Sequence, residues 1–169
     1  MKILCFIVVY ALFLGSIKAK EGHFIKTNRY ELTPEISGKL VSEGTPIAGA
    51  VIELAIGAMG DTRVHQSITD QNGSFYFDEV VFNKLNSLGV FDEQLVSVSI
   101  DTDIGDKNIK IWRTMTAGYR FKPFMVNNLS NLACDVNSDL QYFIFSIDGN
   151  DYEVHSVCDL QGSDESGKY

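Results

Sequence analysis

An all-β fold, in the form of a β-sandwich, is predicted for this chain of 169 residues from three observations. Short runs rich in Val, Ile, Tyr and Phe are separated by Gly, Asn and Asp, the signature of strands and turns. Apolar and polar residues alternate, most plainly over Gln94 to Asp101, where Val96, Val98 and Ile100 enclose Ser97 and Ser99. Beyond the N-terminal run, no stretch sustains a helical period over several turns.

The chain opens on Met1-Lys2 and an apolar run from Ile3 to Gly15, followed by Ser16-Ile17-Lys18-Ala19. A basic start, a short apolar middle and a small residue at the end predict a secretory signal cleaved after about Ala19. The run is shorter than the roughly 20 residues that cross a bilayer, so no stable membrane anchor is expected after cleavage. Cys5 lies inside this run, too early for the lipid-bearing cysteine of a lipoprotein. An exported, periplasmic protein is the resulting expectation.

Residues 20–35 read as a polar lead-in, 36–160 as one β-sandwich domain and 161–169 as a loose polar tail. Strands are predicted over Ile36 to Ser42 and Ala48 to Ile56, the second with Ala50, Ile52, Leu54 and Ile56 facing a core. Arg63 to Thr69 follows, and Asn72-Gly73 is expected to supply the positive φ angles of a tight hairpin into Ser74 to Val80. Residues 80–94 interrupt the pattern with a helical turn or a long loop. Further strands are predicted over Gln94 to Asp101, Ile109 to Thr116, Tyr119 to Phe124, Leu129 to Val136, Leu140 to Ile147 and Tyr152 to Leu160. The last two flank Asp148-Gly149, a second strong hairpin signal.

The formal net charge is −8, and removing Lys2 and Lys18 with the signal takes it to −10. Such acidity argues against nucleic acid and anionic membranes as partners, since both require a basic footprint. It suits a protein partner with a basic surface, or serves solubility alone. Cys134 and Cys158 remain in the exported part and read as one disulfide. No set of histidines lies near them at metal-ligand spacing.

Gly38, Gly44, Pro46, Ile47-Ala48-Gly49-Ala50, Thr69-Asp70, Gly73, Phe75 and Phe77 together form a recurring pattern of glycines, a turn proline and an aromatic pair. On these residues, 36–80 resembles the carboxypeptidase regulatory-like domains, whose fold is similar to transthyretin. The resemblance implies a Greek-key sandwich of about seven strands, here with an added C-terminal hairpin over residues 140–160. Asn127 to Val136, with Leu132-Ala133-Cys134-Asp135, looks like a bacterial branch of these domains associated with type VI secretion systems.

No catalytic constellation emerges, and no cofactor is expected. Hydroxyisourate hydrolases of this fold end in Tyr-Arg-Gly-Ser, whereas this chain ends Ser166-Gly167-Lys168-Tyr169. Intradiol dioxygenases of a similar sandwich hold iron with two Tyr and two His; His65 and His155 lack such spacing. No Gly-x-Ser-x-Gly elbow occurs. Asp101, Asp103 and Asp106 offer hard oxygen ligands for calcium, but the bidentate Glu of an EF-type loop is missing and a solvated turn explains them as well. Tyr119, Arg120, Phe121, Lys122 and Phe124 form either an exposed recognition patch or an ordinary strand with Tyr119 and Phe121 inward. The functional expectation is therefore an exported, non-catalytic, protein-binding module. In the setting implied by the resemblance, it is a periplasmic immunity protein that neutralises a type VI secretion effector. A ligand-binding module for cell-wall or other carbohydrate is the alternative.

Overall fold

The computed structural model describes residues 27–85 and 94–169. The predicted signal sequence, residues 20–26 of the lead-in and residues 86–93 of the interruption lie outside the described residues. The fold is all-β in several sheets: strands β1 (Asn28–Thr33), β2 (Ile36–Ser42), β3 (Thr45–Pro46), β4 (Val51–Ala58), β5 (Asp61–Ile68), β6 (Ser74–Phe77), β7 (Val80–Lys84), β8 (Leu95–Ile104), β9 (Lys107–Ala117), then helix α1 (Pro123–Leu129), then β10 (Leu132–Asp135), β11 (Gln141–Ile147), β12 (Asn150–Ser156), β13 (Cys158–Asp159) and β14 (Glu165–Lys168).

Seven strands form one sheet in the order β14-β11-β12-β9-β8-β4-β5, every pair antiparallel. A smaller sheet centres on β2, which pairs in parallel with β10 and antiparallel with β3 and β6, while β13 closes its far side. Alternation places Ile52, Leu54, Ile56, Val96, Val98 and Ile100 on the buried side of the large sheet. They join Ile36, Leu40, Phe75, Phe77 and Leu132 of the small sheet in one apolar core. The inward set expected for the second strand, Ala50, Ile52, Leu54 and Ile56, is buried as predicted.

Two glycines of the sequence pattern hold these elements at close range. A Cβ on Gly38 would lie 2.5 Å from the Phe75 ring and 2.9 Å from Leu132 Cβ, so β6 and β10 approach β2 only because that atom is missing. Gly73 combines a φ of 76° with a close approach to Leu40 O, 2.4 Å from where its Cβ would stand.

Four expectations are corrected. The Asp70–Gly73 turn makes no hairpin: β5 pairs with β4 and β6 with β2, so the turn carries the chain from one sheet to the other. Asn72 does not adopt positive φ. Instead the Asp70 carboxylate accepts the N–H groups of Asn72 and Ser74, each at 2.8 Å, which holds its pKa below the ordinary aspartate range. The predicted strand Tyr119–Phe124 is absent; Pro123, whose fixed φ and missing N–H suit a first helical turn, starts α1 there and delays the next strand to Leu132. The lead-in contributes β1, which pairs with β7. The tail is not loose, since β14 pairs with β11 from Gln141↔Lys168 to Ile144↔Glu165.

The added hairpin is present as β11–β12, turning on Asp148 (φ 52°) and Gly149 (φ 76°). After it the chain changes sheets at a β-bulge in β9. Opposite β8 the register passes from Ile100↔Trp112 to Asp101↔Lys110, leaving Ile111 as the extra residue. Its carbonyl accepts the Ser156 hydroxyl at 2.6 Å, and Ser156 Oγ in turn accepts the Cys158 N–H at 2.9 Å. Lys110 O accepts the Val157 N–H at 3.0 Å. Ser156 is fully buried, so Ser156→Ala strands a buried carbonyl and a buried N–H; a loss of about 1–3 kcal/mol per unsatisfied group is expected in urea melts, against little change for Ser156→Thr.

Candidate functional site

The large sheet's second face is not covered by any described element. Midway along β4 and β8 this face carries small side chains, Ala55, Gly57, Ser97 and Ser99, which form a low floor. A Cβ at Gly57 would come within 2.4 Å of Ser97 Oγ, so a larger residue there would have to displace that hydroxyl. Longer side chains rise on both sides: Arg113 and Met115 from β9, Glu153 and His155 from β12, and Thr62 from β5. The result is an open groove of about 420 Å³ across the middle of the sheet.

Strand pairing explains this assembly. Ser99 lies opposite Arg113, which lies opposite His155, while Ser97 lies opposite Met115. Every second residue therefore reaches the same face. His155 Nε2 stands 2.6 Å from Glu153 Oε1. The Tyr169 hydroxyl donates to that same carboxylate at 2.9 Å and lies 3.1 Å from the imidazole Nε2. Burial and the bond to Glu153 push the Tyr169 phenol above its ordinary pKa, and a 3.0 Å bond to Glu165 does the same for Tyr142. β14 is fastened at its end by Lys168 Nζ, 2.8 Å from Asp139, which lowers the Asp139 pKa and raises that of Lys168.

Charge on this face is one-sided. Glu53, Asp101, Asp103, Asp151, Glu153 and Glu165 project from it, against Lys110 and Arg113. Met115, 57% exposed, and Leu95 stand among them. Such a face can hold a cationic surface and cover an apolar contact, and its His155 is bonded to Glu153 and Tyr169.

The residues singled out from sequence are dispersed. Asp101 and Asp103 share the outer face of β8, with Asp106 in the turn beyond. Asp103 accepts a bond from Asn108 at 3.0 Å, and Asp101 lies 3.9 Å from Lys110 Nζ. The described residues contain no group of three or more His, Cys, Asp or Glu placed to hold a metal ion. Of the aromatic and basic group, Tyr119 and Phe124 are buried: Tyr119 packs edge-on against Tyr30, and Phe124 stacks on Phe145 at 4.7 Å. Only Arg120 is exposed, while Phe121 and Lys122 are half-buried, the latter with its ammonium 5.3 Å from the Tyr152 ring. That group is therefore not a continuous surface patch, because α1 replaces the strand that would have displayed it.

Cys134 and Cys158 form the disulfide, as directly opposed residues of β10 and β13. Sequence reading missed Glu153, Arg113 and Tyr169, and weighed His155 only as an iron ligand. The signal available was the Glu153-x-His155 alternation on a strand; which strand lies beside it was not readable.

These features define a disulfide-linked all-β domain with an uncovered, acidic sheet face. The chain belongs to the family described as Domain of unknown function (DUF6795), whose model matches residues 36–139. No curated protein and no solved structure matches it. The match ends before β11, so the groove joins Ser97, Ser99, Arg113 and Met115 of the family domain to Glu153 and His155 of the segment beyond it.

Proposed function

We propose that this chain is an exported, non-catalytic protein-binding module built on a Greek-key sandwich similar to the carboxypeptidase regulatory-like domains. Its partner is a basic protein, and its role is that of a periplasmic immunity protein neutralising a type VI secretion effector. The observation that carries the reading is the uncovered face of the seven-stranded sheet, where carboxylates outnumber bases around exposed Met115 and Leu95. Exposed apolar residues within a polar rim are the usual make-up of a recognition surface. The disulfide is in keeping with an oxidising compartment.

The test is co-purification with the product of the neighbouring gene, followed by rescue of cells in which that product is sent to the periplasm. The wild-type chain is expected to bind and rescue, and Met115→Lys combined with Glu153→Lys to do neither while remaining folded. Absence of binding by the wild type rejects the immunity role.

A further inference from the structure

The last strand of the large sheet, β5, has no strand paired to its outer edge among the described residues, although its inner-face side chains meet β6 and β7: Ser67 Oγ accepts the Tyr76 N–H at 3.3 Å and the Arg63 guanidinium lies 5.3 Å from the Phe82 ring. The strand pairs with β4 without a break from Val51↔Ile68 to Ala58↔Asp61, and it contains no proline and no bulge. Edge strands are ordinarily blunted by such features or covered, since an open ladder invites pairing with another chain. Among the described residues nothing pairs with the far side of β5. At the opposite end of the sheet, β14 spans four residues and is tied down by the Lys168–Asp139 ion pair.

Hydrogen bonding fixes which groups of β5 face outward. Thr69 N–H donates to Ala50 O, and Thr69 O accepts the Gly49 N–H, so both Thr69 groups turn toward the neighbouring strand. Backbone groups alternate along an antiparallel strand. Those of Ile68, Gln66, Val64 and Thr62 accordingly turn to the open edge. The same residues carry the outer-face side chains, with Ile68 67% and Val64 54% exposed beside exposed Val51.

We propose that β5 is the dyad of a homodimer, pairing antiparallel with β5 of a second copy about Gln66. In this register Gln66 faces itself, and Val64 faces Ile68 of the second copy on both sides of the axis. All three are pairs that exchange both backbone hydrogen bonds. The most exposed apolar side chains of the strand then cover one another, as self-complementary two-fold contacts require. Arg63 faces Thr69 and His65 faces Ser67, so no like charges meet despite the chain's net charge of −8. Centring on His65 instead would oppose the two imidazoles and set Val64 against Gln66. The nearest carboxylate on this face, Glu53, already accepts a bond from Gln66 of its own copy at 3.4 Å. The result is a sheet continuous across both copies, independent of the toxin-binding reading because it uses the edge rather than the groove.

Sedimentation velocity of the purified full chain over a concentration series tests it. The wild type is expected to move from the mass of one chain to twice that mass. Ile68→Lys places a charge in each apolar pair, and Gln66→Pro removes an edge-facing donor while sparing the β4 ladder. Both are expected to stay at the mass of one chain with an unchanged circular dichroism spectrum, Val64→Lys standing in for either that fails to fold. A wild type that is monomeric throughout, or a dimer that survives in any of the folded variants, overturns the proposal.

Discussion

Trp112→Ala is expected to destabilise the protein by about 3–5 kcal/mol, the range for deleting a large aromatic side chain from a packed core. Trp112 is 0% exposed and sits beside the bulge that forces Ile111 and Trp112, consecutive residues, both into the interior. Its ring stacks with Phe124 of α1 at 6.2 Å, Phe124 stacks with Phe145 of β11, and Tyr152 of β12 closes on Phe124 at 5.7 Å. One indole thus supports the helix and the added hairpin together. Its Nε1 makes no hydrogen bond among the described residues, so the ring contributes through packing alone. Trp112→Phe, which keeps an aromatic of smaller volume and leaves no polar atom behind, should cost markedly less than alanine. Denaturation followed by circular dichroism checks both; equal losses for the two variants would show that stacking at this position is not what the residue supplies.

Breaking the disulfide has the second large effect. Cys134 and Cys158 are 24 residues apart, and closing a loop of that length stabilises the folded state by about 3.5 kcal/mol in the chain-entropy model. Both residues are buried and face each other across β10 and β13. The bond therefore joins the end of the C-terminal hairpin to the smaller sheet, on the opposite side of the core from the groove. Cys134→Ser with Cys158→Ser is expected to lower the urea midpoint accordingly and to make β12–β14 the first region to exchange its amide hydrogens. A reductant should reproduce the shift in the wild type and leave the double variant unchanged. A midpoint that does not move on reduction would contradict this role.

The parts of the fold readable in the sequence are those fixed by local chemistry. Alternation located Ile52, Leu54 and Ile56 in the core because a strand's faces are set by position alone. Asp148-Gly149 marked a true hairpin because two successive positive φ angles are needed there. Asp70–Gly73 looked equivalent, yet its Asx bonds and the pairing of β6 with β2 make it a crossing between sheets; strand partnership is a long-range property that a turn sequence does not carry. Tyr119–Phe124 alternated well enough to pass for a strand, and only Pro123 hinted at the helix. β14 was unreadable for a related reason. Glu165, Ser166, Gly167 and Lys168 bury little, and their strand exists because Gly167 leaves room for the Tyr142 ring and Lys168 finds Asp139.

The groove was hidden more deeply still. Its members come from β4, β5, β8, β9 and β12, and none is unusual where it stands in the sequence. Ser97 and Ser99 marked only the polar side of an alternating strand; their meaning comes from lying beside Gly57 and opposite Met115 and Arg113. The acidic balance pointed to a basic partner, but its concentration on one face follows from which residues of β4, β8, β12 and β14 point outward.

Titrating the neighbouring gene's product into the isotope-labelled protein, with backbone amide shifts recorded by NMR, tests the recognition surface most directly. Shifts clustered on Ser97, Ser99, Arg113, Met115, Glu153 and His155 are the expected result. Shifts confined to β2, β6 and β10, on the smaller sheet, would contradict the assignment of the uncovered face as the place where the partner binds.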